Sequence, residues 1–444
     1  MASVVSTTRS PRGRPRARVR AWIVATLAAL LLASSGLVAD GVAARSRLGN
    51  PGVIANWNLI AQATLLGDTT KKPQEHFLYL AFMNIAMYDA VVGIHGRYEP
   101  YALHARAHGR TSDQAAVAAA AHHVLETYSP YAQGTLDTAY AAALASIPDG
   151  RAKTRGIAFG LRAANKIIAL RANDGRNANI TFDQPPGPGV WRPTPPANLA
   201  MFVPWMGSVK PLVVRSGAQF GEPGPPPAMT STQYTTDFNE VASMGGSVAT
   251  GSNRTDDQTA TALFFSGNAQ IQFTGALIDQ AVTRHMNIVD SARMFAAVNT
   301  SIADSIIGIW HAKVLYGFWR PITAINLADT DGNPDTDQNG SWVPLLTTPP
   351  YPDYVSGYSG VAGAFTRALQ KTLGTRRLNV TLHSSAVLGA ERHYARAGAL
   401  NDAVVNARIW LGIHFRFADT VGLTMGQRTA NYVLNHAFEP LDDD

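Results

Sequence analysis

The sequence predicts an all-α fold, a set of helical bundles joined by long loops, and three observations lead there. Segments with helical periodicity dominate most of the chain, no strand-type alternation runs longer than a few residues, and no internal repeat of fixed period is present. Charged residues make up only 15% of the 444, which fits a helix-rich protein with a large buried core rather than a disordered one.

The chain opens on Arg9, Arg12, Arg14, Arg16, Arg18 and Arg20, followed by the apolar run "AWIVATLAALLLASSGLVAD" and the small residues "GVAA". Positive, apolar, then small is the order of a secretory signal, so residues 1–44 are expected to direct the protein to the cell envelope or outside it. An uncleaved N-terminal anchor is the competing reading, because the run approaches the ~20 residues that span a bilayer. No later stretch is expected to span, so no multi-span membrane domain is predicted. The same segment explains most of the net charge. Six arginines and one aspartate give it +5 of the total +6, leaving +6 − 5 = +1 for the remainder. A nearly neutral body implies no basic face and no nucleic-acid partner. The absence of cysteine excludes disulfides, thiolate metal sites and a cysteine nucleophile.

Beyond the leader, two regions are expected: 45–230, helical and ending in a proline-rich crossover, and 231–444, helical and carrying the polar motifs. Glu75 to Ile94, "EHFLYLAFMNIAMYDAVVGI", is apolar nearly all round, as in a helix enclosed by others. Ser112 reads as the cap of an alanine-rich helix running to about Tyr128. A third helix is predicted from about Arg151 to Ala172. From Asp183 to Ala228 the stretches "DQPPGPGVWRPTPP" and "GEPGPPPAM" rule out regular helix and predict an extended surface crossover, pinned by Trp191, Phe202 and Trp205. Helical patterning resumes near Thr232 and continues through Gln270–Arg284, Asn287–Phe318, Ser356–Leu373, His383–Arg396 and Asp402–Leu434.

Three patterns in the last third place polar groups among apolar neighbours. In "KVLYGFWRP", Lys313 and Arg320 are seven apart, which on a continuous helix puts them on one face about two turns apart. Pro321 then ends or bends that helix. In "YPDYVSGYSGVAG", Ser356 and Gly357 sit where a helix starts, and unpaired N–H groups there favour an anion. In "NARIWLGIHFRFAD", Arg408 and His414 lie about 120° apart on a straight helix, so they converge only through Arg408's reach or a distortion near Gly412. Each pattern alone has an ordinary reading: a solvated stripe, a helix cap, a satisfied core histidine. Together they supply one lysine, two arginines, a hydroxyl, an amide and an imidazole, with Asp353 the single carboxylate within the motifs. That inventory suits a multiply charged tetrahedral oxyanion.

The order K-x6-R-P, then a Ser-Gly turn, then R-x5-H resembles the vanadium-dependent haloperoxidases and the related type-2 phosphatidic acid phosphatases. "LAFMNIAMYDAVVGI", the proline-rich middle, "DTDGNPDTDQNGSWVPLLTTPPYPDY" and "GIHFRFAD" look like the exported bacterial branch of the haloperoxidases, so the resemblance covers most of the chain beyond the leader. It implies two packed helical bundles and a bound vanadate, with phosphate as an alternative occupant. By the same resemblance Lys313, Arg320 and Arg408 hold the equatorial oxygens, and Ser356 and the Gly357 amide donate hydrogen bonds. His414 bonds to vanadium, or in the phosphatases is the nucleophile that becomes phosphorylated. Trp310 and Tyr351 fall where the family lines its halide pocket. The implied reactants are hydrogen peroxide, halide and a small organic substrate, and a homodimer is compatible with this reading.

One position departs from the pattern. Where the family reads Pro-Ser-Gly-His, this chain reads Val355-Ser356-Gly357-Tyr358. A phenol near pKa 10 is a poor acid–base group at neutral pH beside an imidazole near 6.5, and losing such a group typically costs ~10²–10⁴ in rate. Three functions are therefore expected in order: a vanadate-dependent peroxidase impaired at Tyr358; an acid phosphatase working through a phosphohistidine on His414; a non-catalytic oxyanion binder. His311, His383 and His393 are the histidines considered as substitutes for the missing one, and Asp89 and Asp419 as partners that orient an arginine or His414. The loop "DTDGNPDTDQNG" alternates acids but carries Pro334 where a calcium loop of the EF-hand type needs glycine, and reads as a polar surface loop.

Overall fold

A computed structural model describes residues 52–441, and the predicted signal or anchor, 1–44, lies outside them. The first helices are α1 (Gly52–Gly67), α2 (Pro73–His95), α3 (Asp113–Tyr128), α4 (Gln133–Ala145) and α5 (Arg151–Leu170). Every residue of α2 from Gln74 to Gly93 is buried, as its all-round apolar sequence predicts. It is long and apolar enough to cross a membrane, contrary to the expectation that no later stretch would be. Its neighbours α1, α3, α5 and the later helix 288–316 pack against it, so it is a core helix. Ser112 caps α3 as expected, its Oγ accepting from the amide of Ala115 at 3.2 Å.

The crossover follows, with one short helix, α6 (Ala218–Gly221). Trp191 and Trp205 are buried and pin it, while Phe202 is half-buried. Two buried carboxylates tie loops to helices. Asp304 accepts from the amides of Leu212, Val213 and Val214 at 2.6, 2.8 and 2.9 Å. Asp89 accepts from Tyr101, Ala102 and Leu103 at 2.7, 2.8 and 2.8 Å. Asp89 thus holds a turn and orients no site residue, which corrects the role considered for it.

Next come α7 (Thr232–Met244), α8 (Asp256–Phe264), α9 (Ala269–Thr283), α10 (Ile288–Tyr316), α11 (Pro321–Asn326) and α12 (Gly357–Leu373). After them a two-stranded antiparallel hairpin, β1 (Arg377–His383) with β2 (Glu391–Arg396), leads into α13 (Ala397–Trp410) and α14 (Arg416–Val433). The long helix α10 packs on α2 from one group of helices and on α12 and α14 from the other, so the two bundles share it. Helices α12 and α14 meet backbone to backbone: a Cβ on Gly426 would strike the carbonyl of Gly360, and one on Gly363 the carbonyl of Leu423.

Three local expectations are corrected. His383–Arg396 is hairpin, not helix: Leu378, Val380 and Leu382 alternate inward over only seven residues, too few to stand out by period. Lys313 and Arg320 do not share a helix, because Gly317 takes a φ of +54° and ends α10 before Arg320 caps α11. The predicted helix Asp402–Leu434 is two helices, broken at Gly412, whose φ is +75°. The acidic loop folds on itself, the Asp331 carboxylate accepting from the amide of Asn333 at 2.7 Å and from Thr336 Oγ1 at 2.8 Å.

Candidate functional site

Each polar motif hangs from a different element end. Lys313 lies in the last turn of α10, Arg320 precedes α11, Ser356 and Gly357 open α12, Arg408 lies in the last turn of α13, and His414 sits between α13 and α14. All six are buried. Backbone acceptors draw the ends together. Lys313 Nζ donates to the carbonyls of Pro352 and Asp353 at 2.6 and 3.0 Å. Arg320 donates from Nε to Tyr351 O and from Nη1 to Ile413 O, both at 2.7 Å. The amide of Ser356 donates to Ala418 O at 3.0 Å, and Arg408 Nη1 donates to Phe265 O at 2.9 Å. The break at Gly412 takes His414 off the helix of Arg408, and both line the same cavity.

His414 is oriented by Asp353, whose Oδ1 lies 2.7 Å from Nδ1. With Nδ1–H donating to that carboxylate, Nε2 is the acceptor nitrogen; it takes a hydrogen bond from Arg320 Nη1 at 3.1 Å, which a ligand at Nε2 would have to displace. Sequence reading noted Asp353 but gave it no role, since the pair joins residues 61 apart. Asp419 accepts from Ser359 Oγ at 2.7 Å, so it supports the start of α12 and bonds neither His414 nor an arginine.

Trp310, Tyr351, Gly357, Tyr358, Arg408 and His414 line one cavity of about 300 Å³, together with Gln74, Phe77 and Phe202 from the N-terminal region. The rings of Trp310 and Tyr351 lie 5.1 Å apart, and Tyr351 faces Lys313 Nζ at 5.0 Å and the Arg320 guanidinium at 4.8 Å. The hydroxyl of Tyr358 donates to Gln272 Oε1, and the Arg408 guanidinium lies 4.7 Å from the centre of its ring. None of the considered substitute histidines reaches the cavity. His311 pairs with Glu222 at 2.9 Å, His383 stands between Asp279 and Glu391, and His393 faces Thr381.

The electrostatics ask for an anion. Burial pushes Lys313 well below its ordinary range, reinforced by Arg320, and lowers Arg320 and Arg408. Burial, then Arg320, Lys313 and Arg408, hold His414 well below the usual imidazole range, so it is neutral. Burial lifts Asp353 well above the carboxylate range against the pull of Arg320 and Lys313, and lifts Asp419 to about 7. Three basic side chains therefore face two carboxylates, and burial works against the charge on all five, a cost that a bound anion would offset for the basic groups. Donors are left over as well. Arg408 Nε has no partner; Ser356 Oγ lies near enough to Asp419 to pull on its titration but makes no hydrogen bond of ordinary geometry. The first-turn amides of α12 precede its first backbone bond, from Gly360 N to Ser356 O at 3.2 Å. Unspent donors, basic side chains that outnumber the carboxylates and a neutral imidazole fit a tetrahedral oxyanion such as vanadate or phosphate.

Fold and site together define a class, a two-bundle helical protein with a buried cluster of basic side chains and an imidazole at the ends of its C-terminal helices. Residues 293–443 match the family model of the VCPO second helical-bundle domain. The chain is 28% identical over 171 residues to the vanadium chloroperoxidase of Curvularia inaequalis, covering 32% of this chain and 27% of that protein. It thus spans about a quarter of the length of that curated relative. Among solved structures, a bacterial vanadium-dependent iodoperoxidase superposes with a TM-score of 0.75 at 22% identity, covering 89% of this chain and 98% of that one. A holo-type bacterial vanadium-dependent chloroperoxidase gives a TM-score of 0.64 at 17% identity, covering 82% and 92%. The segment 293–443 thus matches the VCPO second helical-bundle domain, and the fold is that of the bacterial vanadium haloperoxidases.

Proposed function

We propose that this protein binds vanadate within that cluster, as its cage, and oxidises halide with hydrogen peroxide, at a rate held down by Tyr358. The carrying observation is that Gly357, Arg408 and His414 line one cavity, with Arg320 Nη1 3.1 Å from His414 Nε2, Lys313 tied to the carbonyls of Pro352 and Asp353, and Arg408 Nε and Ser356 Oγ without a hydrogen-bond partner. The three cations would offset charge on the oxygens, and Ser356 and the Gly357 amide would donate to them. His414 Nε2, its ring fixed by Asp353 at 2.7 Å, would bond to the metal. Bound vanadate would supply a Lewis acid that activates peroxide without changing oxidation state. Trp310 and Tyr351 form the aromatic wall against which a halide would sit. The N-terminal run of arginines and apolar residues supports export of the protein.

A second reading, an oxyanion binder without turnover, is favoured by the Tyr358 hydroxyl, which donates to Gln272 and not into the cage. Vanadate titration and bromide oxidation by peroxide on the purified chain separate the two. Binding with slow oxidation is the expected result; binding with none leaves the binder. Hydrolysis of an aryl phosphate, abolished by His414→Ala, would instead establish a phosphatase, and absence of vanadate binding would end the cage assignment.

A further inference from the structure

We propose that Tyr358 is a positioning residue, whose ring holds the Arg408 guanidinium at the cage while its hydroxyl is withheld from the anion. The inference rests on the cage reading above and assigns to this side chain a task different from that of the histidine it replaces.

Two sets of contacts carry it. On one side Arg408 is fixed from two directions: Nη1 donates to Phe265 O at 2.9 Å, and the guanidinium carbon lies 4.7 Å from the Tyr358 ring centre. A buried guanidinium on an aromatic face is held far more firmly than an exposed one. Among its other donors, buried Nε has no partner, and Arg408 lines the cavity. On the other side the Tyr358 ring is itself wedged, edge-on to Phe265 at 6.3 Å and tilted against Phe273 at 6.1 Å.

The hydroxyl has only one proton to donate, and Gln272 takes it. Gln272 is buried, and both ends of its amide are committed: Oε1 accepts from Tyr358, and Nε2 donates to Phe264 O at 3.0 Å. Turning the amide over would set two carbonyl oxygens against each other at Phe264, so its orientation is fixed and Tyr358 must be the donor. A phenol committed in this way cannot also donate to a bound oxyanion. What Tyr358 offers the cage is its π-face, delivered through Arg408.

The test is titration of the full chain with inorganic vanadate by calorimetry, comparing Tyr358→Phe, Tyr358→Leu and each in an Arg408→Ala background. Thermal melts check that the variants fold. Tyr358→Phe, which keeps the ring, is expected to bind within about twofold of the unchanged protein. Tyr358→Leu should bind about tenfold more weakly. In the Arg408→Ala background the Phe and Leu variants should bind alike, because the ring then has nothing to position. Equal losses in the Phe and Leu variants would make the hydroxyl a direct ligand and overturn the proposal alone. No loss in the Leu variant, or a Leu penalty that persists without Arg408, overturns it too. If the unchanged protein binds no vanadate, the cage reading falls and takes this inference with it.

Discussion

Asp353 and His414, 61 residues apart in the chain, meet side chain to side chain with Oδ1 2.7 Å from Nδ1, both buried. That contact decides which imidazole nitrogen is left as the acceptor. Asp353→Ala should therefore weaken vanadate binding by about 10–100-fold, the usual cost of losing a group that orients a ligand. Asp353→Asn, which can still accept from Nδ1–H, should lose less. Calorimetric titration of both variants measures the difference, and equal affinities for both would show that the carboxylate does not set the ring.

Ser356 gives a prediction that separates stability from binding. Its Oγ is buried without a hydrogen bond of ordinary geometry, so Ser356→Ala removes little from the free protein. Urea unfolding should change by less than about 1 kcal/mol. Vanadate affinity should fall about tenfold, the value of one hydrogen bond to a charged acceptor.

Gly412 is predicted to be intolerant of any side chain. Its φ is +75°, and an added Cβ would run into the carbonyl of Gly245 and the ring of Pro344. Gly412→Ala should cost about 2–4 kcal/mol in denaturant unfolding, through strain at the turn and the clash together. Because this turn aims His414, oxyanion affinity should fall as well.

His76 should make stability depend on pH. It is buried with neither ring nitrogen bonded, and burial lowers its pKa to about 4 from 6.5. The unfolded chain therefore binds a proton more readily than the fold between these values. The stability is complete above pH 6.5 and is lost as pH falls toward 4, at up to about 1.4 kcal/mol per unit. Asp304, raised by burial to about 6, contributes the opposite slope over part of that range. The measurement is therefore the difference in unfolding free energy between the unchanged protein and His76→Phe, which should shrink or reverse in favour of the variant on acidification. A constant difference from pH 7 to 4.5 would refute it.

Tyr358→His should restore an acid–base group at the position where the resemblance expects one. Bromide oxidation by the vanadate-loaded variant should rise by about 10²-fold. An unchanged rate in a folded, loaded variant would remove position 358 from the account of turnover.

The parts of the site legible in the sequence were those whose chemistry is local. Lys313, Arg320, Ser356, Arg408 and His414 announced themselves as polar residues in apolar segments, and Ser112 as a cap. Illegible were contacts made across long separations. Asp353 with His414 spans 61 residues, and Tyr358 with Gln272 spans 86. Helix patterning ran straight through Gly317 and Gly412, because one glycine scarcely disturbs a hydrophobic period while its left-handed φ redirects the whole chain. The hairpin escaped notice for the converse reason: three inward side chains are too short a record of alternation.

All the groups that would grip the ion come from Lys313 onward, yet Gln74, Phe77 and Phe202 in the cavity wall come from α2 and the crossover. The grip and this part of the wall are thus written in separate stretches of the chain. Substitutions in the earlier stretch can reshape the space offered to a second reactant while the groups that hold the ion stay untouched.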